Sequence, residues 1–556
     1  MNGAELLARE LRRRGVRHVA TLCGHGLDPL DEALDRTGIQ LVDVRNEQSA
    51  GYIAETTGRL SRRVGVCAVS SGVAHVNAMT GIVNAYFDGA PMLLITGSGP
   101  RETIGLGHFQ DLDQVALADP VCKYSRLIDR PERIGQYLHE AFSAAISGRP
   151  GPVHLTFPLD VQQREAPIGG IHVHRPISVP ESQPGPTELS RVASMMADAE
   201  RPVIVAGSGV YYAKGERALA TFCERFAIPT VVPIWDRGSF PSDHTSYMGV
   251  IGSATGGPEI LADADLVLVL GARSDYRVGY LQPPTVDENA AIVRVDADPA
   301  ELDQGTGAHV TVTASPAAFL RDLEVTCEFV IPKTDWLIEA QGRKQAYRDQ
   351  IVGAQRPDEG CHALDVVEAI GEAMTPETTL VIDGGNIGQW AHQVLNDSYP
   401  GHWLTCGTSG VVGYGIAGAM AARLNDPDHP VILLSGDGAL TFTVAELEAA
   451  VRQGLPFVVV LADDEAWGIT LTGHEGQFGR GITSELGPID YVSMARSFGA
   501  EAMYIDEPGG ILPAILTAMG SEVPTLIHVP VVRSNPLKDR AHPGQASRVD
   551  VVDRAR

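Results

Sequence analysis

The sequence predicts an α/β protein built as three doubly wound parallel-sheet domains. Length comes first: 556 residues exceed one hydrophobic core and imply about three domains of roughly 150–200 residues. The second observation is a series of short apolar runs, most ending in small or acidic residues. The third is that stretches with helical periodicity separate those runs, the alternation of a parallel sheet with helical crossovers.

In chain order, "MNGAELLARELRRRG" reads as an amphipathic helix without the apolar stretch of a signal peptide. "LVDVRNEQSAGYIAETTGRL" (41–60) reads as a strand running into a helix, with Arg45-Asn46-Glu47 at the junction. "GVCAVSS", "PMLLITG" and "PVHLTF" are buried strands of the first domain. "RPVIVAGSG", "DLVLVLGA" and "AIVRVDAD" belong to the second, and "TLVIDGG", "PVILLSGDG" and "PFVVVLADD" to the third. "HRPISVPESQPGPTE" (174–188) and the polar, helix-containing stretch 330–360 read as connectors. The expected domains are therefore 1–170, 185–330 and 355–532, followed by a tail, 533–556. The first and third share a layout of alternating strands and helices.

Formal net charge is −26, which argues against nucleic acid as a main partner. Seven cysteines, none in a C-x-x-C pair, suggest free thiols in a reducing cytoplasm. No apolar run approaches the ~20 residues that span a membrane. The expectation is a cytoplasmic protein.

"LLSGDGALTFTVAELEAAVRQGLPFVVVLADDEAWG" (433–468) carries the chemistry. Strand Val431–Leu434 feeds a Gly-Asp-Gly turn. A helix over 445–453 is expected, with Thr443 and Glu446 at capping-box spacing and Gly454 as its stop. Strand Phe457–Leu461 then ends at Asp463-Asp464. A right-handed crossover puts Asp437 and Asp464, 27 residues apart, at one carboxyl edge, where open α/β sheets bind ligands. Facing carboxylates are costly without a counter-charge. A hard cation such as Mg²⁺ resolves that and leaves positions for phosphate oxygens. Gly436 and Gly438 let backbone approach a diphosphate. Read alone, Asp437 is equally a helix cap and Asp463-Asp464 a solvated loop.

This segment resembles the thiamine diphosphate (ThDP) motif of the acetolactate synthase/pyruvate decarboxylase superfamily, G-D-G followed by N or N-N about 25–30 residues on. Asp463-Asp464 stands where Asn-Asn is usual. The resemblance implies Asp437, Asp464 and the Ala466 carbonyl as Mg²⁺ ligands. It implies a cofactor cradle of Gly436, Gly438, Ala439, Trp467 and Gly468. "LTCGTSGVVGYGIAGAMAA" (404–422) matches the stretch beneath the aminopyrimidine, with Gly410 and Val412 as contacts; Val412 is smaller than the family's Met, Leu or Ile wedge. "GGNIGQW" (384–390) matches at the cofactor's edge. Glu47, within R-N-E-x-x-A-x-x-x-A-E, aligns with the glutamate that activates the cofactor through its pyrimidine ring. The fold implied has pyrimidine-binding, central and diphosphate-binding domains in that order.

The stretch 68–125 is similar to the same superfamily throughout. The S/T-G-P-G-x-x-N loop is Ser71-Gly72-Val73-Ala74-His75-Val76-Asn77 here, without the Pro-Gly. Phe109-Gln110-Asp111 replaces F-Q-E, which places Gln110 on the substrate side. His25, in Cys23-Gly24-His25-Gly26, and His108 are candidate proton shuttles, since histidine titrates near working pH. Glu465 is a further candidate beside the reacting group.

The implied activity is making or cleaving a C–C bond next to a carbonyl. An acetolactate synthase-like carboligase on 2-ketoacids is one reading. A lyase acting on a 2-hydroxyketone or 2-hydroxyacyl-CoA is the other, favoured by Gly473 where acetolactate synthases carry a tryptophan, by the histidines and by the tail. That tail holds six Arg/Lys and three Asp, a net +3, and reads as either a disordered terminus or a lid. The central domain, with Gly207-Ser-Gly209, is of the kind that holds FAD, ADP or CoA in relatives; an empty domain is the alternative. The family places each cofactor between two subunits, which implies a homodimer or homotetramer.

Overall fold

The computed structural model describes residues 1–166, 181–236, 239–252, 256–305, 307–352, 356, 359–399 and 402–536. Residues 174–180 of the first connector and the tail from 537 onward lie outside these. The described residues form three six-stranded parallel sheets.

The first sheet contains β1 (His18–Leu22), β2 (Gln40–Asp43), β3 (Gly65–Val69), β4 (Met92–Ser98), β5 (Tyr124–Leu127) and β6 (Pro152–Pro158), in the order β2-β1-β3-β4-β6-β5. The second contains β7 (Pro202–Ala206), β8 (Thr230–Pro233), β9 (Tyr247–Ile251), β10 (Leu266–Leu270), β11 (Ala291–Asp296) and β12 (Val310–Thr313), in the order β12-β11-β10-β7-β8-β9. The third contains β13 (Thr379–Asp383), β14 (His402–Thr405), β15 (Val431–Gly436), β16 (Val458–Asp463), β17 (Glu501–Tyr504) and β18 (Thr525–Pro530), in the order β14-β13-β15-β16-β18-β17. The first and third sheets thus share one strand permutation. The second has the order of a dinucleotide-type sheet.

Central strands such as β3, β4, β10 and β15 are apolar on both faces because helices cover both. The N-terminal amphipathic helix is Gly3–Arg13, closed by a capping box between Asn2 and Glu5. The first and third sheets share a hydrophobic core. It includes Tyr52 and Ile53 of helix Glu47–Ser61, Ala78 and Ile82 of helix Val73–Asp88, and Ile416 and Met420 of helix Gly415–Asn425. Helices 47–61 and 73–88 cross at glycines: a Cβ on Gly81 would sit 2.5 Å from the Gly51 backbone.

A buried ion cluster crosses the same interface. Arg59 is fully buried and lies 3.1 Å from Glu55 and 3.3 Å from Asp88. It also donates to the Thr405 carbonyl at 2.8 Å. Asp88 in turn accepts from the Thr408 backbone at 3.0 Å and from its hydroxyl at 3.1 Å. The first domain therefore holds the turn that leads to Gly410 and Val412.

The segment after Gly-Asp-Gly departs from expectation. Two helices replace one: Asp437–Phe442, directly off β15, and Glu446–Arg452. The Thr443/Glu446 capping box does not form. The Thr443 hydroxyl donates to the Gly413 carbonyl at 2.8 Å. Glu446 reaches the other domain and accepts from the Arg45 and Asn46 backbone N–H groups at 3.0–3.1 Å. Tertiary partners outcompete the local cap.

Candidate active site

β15 and β16 pair in register, with Gly436 opposite Ala462, so Asp437 and Asp463 emerge together at the carboxyl edge. Both are buried, at 2% and 8% exposure. Asp437 accepts from the Ala466 N–H at 3.1 Å. Asp464 accepts from Asn386 Nδ2 at 3.2 Å. Glu465 is exposed in a left-handed turn, φ 50°, and its N–H donates to Asp463 at 3.1 Å. The Arg533 guanidinium fixes that turn by donating to the carbonyls of Asp464 and Glu465 at 3.0 and 3.1 Å. Gly438 lies against the Trp467 ring, and a Cβ there would come within 2.8 Å of it. Gly468 opens the next helix, where a Cβ would meet Asp464 at 2.7 Å. Gly436 precedes the Asp437 helix without any side-chain cap, and Ala439 is buried in its first turn.

Burial, then the neighbouring Asp464 and Asp463 charges, push the Asp437 carboxyl up to about 7. Burial raises Asp464 too, opposed by Asn386 and Arg533. Burial also acts to raise Asp463, but hydrogen bonds from His528 (2.8 Å), the Glu465 N–H and Asp437 outweigh it and hold it low. The Asn386 Oδ1 is buried without a partner. Crowded, buried carboxylates with one strongly raised member fit a hard divalent cation. Among the described residues no three His, Cys, Asp or Glu side chains form a metal-holding cluster. A cation here would use Asp437, Asp464, backbone oxygen such as that of Ala466, and ligand or water oxygens.

The second constellation lies on the first sheet. Glu47 opens its helix after Asn46, whose side chain accepts from the Gln48 N–H. Asn77 Nδ2 donates to Glu47 at 2.9 Å. The Ser71 hydroxyl donates to Gln110 at 2.7 Å, and Gly72, at φ 58°, leaves no room for a Cβ beside Gln110. His25 is exposed, and its ring meets Phe109 edge-on at 5.3 Å. His108 is half-buried, with Nδ1 2.9 Å from the Thr103 carbonyl and Nε2 buried without a partner. Glu47, Gln110 and the two histidines thus share one end of the first domain. Among the described residues no hydrogen bond or ion pair joins Glu47 to Asp437 or Asp464.

The third constellation is the Gly410–Gly413 loop. Gly410 is exposed and left-handed, φ 66°, and Val412 is half-buried. Asp383, at the end of β13, accepts from the Gly413 and Gly415 N–H groups at 3.3 and 2.7 Å. Burial raises the Asp383 carboxyl to about 6. Sequence reasoning missed Asp383, although its place before Gly384-Gly385 is the same strand-end acidic signal that marked Asp437. It also missed the Asp463–His528 pair and Gln114, whose side chain accepts from the Gly72 N–H at 2.8 Å. Such pairs of distant residues leave no local pattern.

Three domain descriptions match the chain in order. "Thiamine pyrophosphate enzyme, N-terminal TPP binding domain" matches residues 1–117. The central domain of such enzymes matches 189–323, and the C-terminal TPP binding domain matches 383–529. The acetolactate synthase isozyme 1 large subunit of Escherichia coli is 30% identical over 565 residues, covering 98% of this chain and 96% of that protein. A probable acetolactate synthase large subunit of Methanocaldococcus jannaschii is 28% identical over 551 residues, covering 95% and 92%. The Escherichia coli isozyme 2 large subunit is 28% identical over 538 residues, covering 96% of each. With its two ThDP-binding domains, its central domain and its full-length relatives, the chain belongs to the acetolactate synthase-like thiamine pyrophosphate enzymes.

Proposed function

We propose that this enzyme is an acetolactate synthase-like carboligase acting on 2-ketoacids. Full-length similarity to acetolactate synthase large subunits carries that reading. When bound, ThDP supplies a nucleophilic carbon that attacks carbonyls and accommodates the electron pair released on C–C cleavage. In this reading Asp437, Asp464 and the Ala466 carbonyl hold Mg²⁺. Gly436, Gly438, Ala439, Trp467 and Gly468 line the diphosphate, and Gly410 and Val412 support the pyrimidine. Glu47 holds a proton against a pyrimidine ring nitrogen, with Asn77 fixing its carboxylate. Gln110, His25, His108 and Glu465 face the substrate.

Glu47 meets the Asp437 constellation of a second copy in this reading, which makes the unit a homodimer or homotetramer. In the segments that carry Gly72 and Gln110, Val73, Leu106 and Phe109 are 65%, 78% and 66% exposed, apolar side chains suited to such a contact. The domain limits are 1–170, 185–330 and 355–532, in a cytoplasmic protein. No helix among the described residues is long and apolar enough to cross a membrane.

A second reading is a lyase that releases an aldehyde or ketone from a 2-hydroxyketone or 2-hydroxyacyl-CoA. The open space around Gly473 and the exposed His25 favour it. Purified protein with ThDP and Mg²⁺ is supplied with pyruvate, a benzoin and a 2-hydroxyacyl-CoA in parallel, with products read by mass spectrometry. Acetolactate from pyruvate is expected. Inert pyruvate with carbonyl release from either other substrate establishes the lyase instead. Glu47→Gln should keep ThDP affinity and abolish turnover, whereas Asp437→Ala should lose ThDP.

A further inference from the structure

A cleft of about 500 Å³ lies between the first and third domains, at the edge of both sheets opposite the Asp437 site. His18 begins β1, Gly65 begins β3, Thr379 begins β13 and His402 begins β14, and all four line it. These are amino ends of parallel strands, whereas Glu47 and Asp437 follow carboxyl ends. The cleft is therefore a separate place in the fold. Its volume falls within the range of small-molecule sites, ~300–1,000 Å³.

Its lining is cationic in a protein of net charge −26. Arg17 and Arg63 both line it and are exposed to solvent. Neither guanidinium makes an ion pair or hydrogen bond among the described residues, where most arginines pair with a carboxylate. Asp426, the one carboxylate of the lining, is 2.9 Å from His429. The lining also holds a polar network, the floor of the cleft. Asn425 Nδ2 donates to the Thr57 hydroxyl oxygen at 3.1 Å, and that hydroxyl lies 3.0 Å from His18 Nε2. Burial, then the neighbouring Arg17 charge, lowers His18 to about 4, so its ring is neutral at pH 7. The positive charge of the lining thus comes from the two arginines, whose planar forks suit carboxylate and phosphate oxygens.

We propose that this cleft binds a small oxyanion, a phosphate- or carboxylate-bearing metabolite, gripped at the domain interface by Arg17 and Arg63 of the first domain. Its floor joins two helices that lead to the active-site loops. Helix 47–61 supplies Thr57 and begins at Glu47. Helix 415–425 supplies Asn425 and begins just after Val412.

The test uses protein saturated with ThDP and Mg²⁺, so that the cofactor's own phosphate cradle is filled. Inorganic phosphate and, separately, citrate are titrated in by calorimetry, for the wild type and for Arg17→Ala/Arg63→Ala. Both arginines are exposed, so the variant should fold, and its melting temperature and ThDP affinity check this. At least one probe should bind the wild type at one equivalent per chain, at least tenfold more tightly than the double variant, with ThDP affinity unchanged. Phosphate against citrate then tells which oxyanion the forks prefer. Binding of neither probe below 10 mM (roughly the −3 kcal/mol limit of a usable site) overturns the proposal. So does equal binding by the double variant. A parallel loss of ThDP affinity would assign the anion to the cofactor cradle and overturn it too.

Discussion

Replacing Arg59 with Met tests what holds the first and third domains together. Arg59 is fully buried, as is Glu55, and Asp88 is 5% exposed at its side chain. Burial alone would lower the arginine's pKa, but Glu55, Tyr414 and Asp88 more than reverse that and raise it. A methionine fills similar volume without charge. It leaves two carboxylates facing each other without their cation, and the Thr405 carbonyl without its donor. Removing one partner of a buried ion pair costs about 3–5 kcal/mol. For a domain of this size, that lowers the melting temperature by roughly 10 °C. The Thr405–Ser409 turn leads into Gly410 and Val412, so ThDP affinity should fall as well. Calorimetric melting and a ThDP titration measure both effects. A loss below 2 °C at pH 7 (roughly 1 kcal/mol or less), with unchanged ThDP affinity, would refute the reasoning.

Three further outcomes follow from the same structure. Burial raises Glu446 from 4.5 to about 7. Its contribution to stability is complete below pH 4.5 and is lost as pH rises through 7, about 3 kcal/mol in all. Glu446→Gln should flatten that dependence in melts taken from pH 4.5 to 8, and an unchanged profile would exclude Glu446 as its source. Burial lowers His75, whose two ring nitrogens have no partner, to about 4. Its contribution is complete above pH 6.5 and is lost as pH falls toward 4, so His75→Phe should melt progressively higher than wild type over that window. Gly81→Ala should destabilise by about 2–3 kcal/mol, because the added methyl meets Gly51 backbone that cannot move aside; an unchanged melting temperature would disprove the close helix crossing.

The three sheets were legible because a parallel strand covered on both faces must be a continuous apolar run. β3, β4, β10, β15 and β16 all announce themselves in that way. Short or edge strands such as β5, β12 and β17 lack the run and were not anticipated. The Gly-Asp-Gly turn and the strand-end Asp463-Asp464 were legible for a related reason. A β-α-β crossover fixes where two strand ends meet, so spacing alone predicts that the carboxylates share an edge. Thr443 and Glu446 show where such reasoning stops. Their spacing is that of a local cap, yet each found a stronger partner more than 25 residues away.

Sequence by itself determined the fold class and the acidic strand ends, because those depend on local periodicity and on spacing along one chain; the cofactor family came from the resemblance of its motifs. Only the tertiary structure decided that His528 holds Asp463, that Asp383 anchors the Gly413 loop, and that Arg59 joins two domains. It also decided that Arg17 and Arg63 converge on a cleft at the far edge. Those pairings follow from how three sheets pack, and burial sets their strength by stripping water from charges that would be inconsequential on an extended chain.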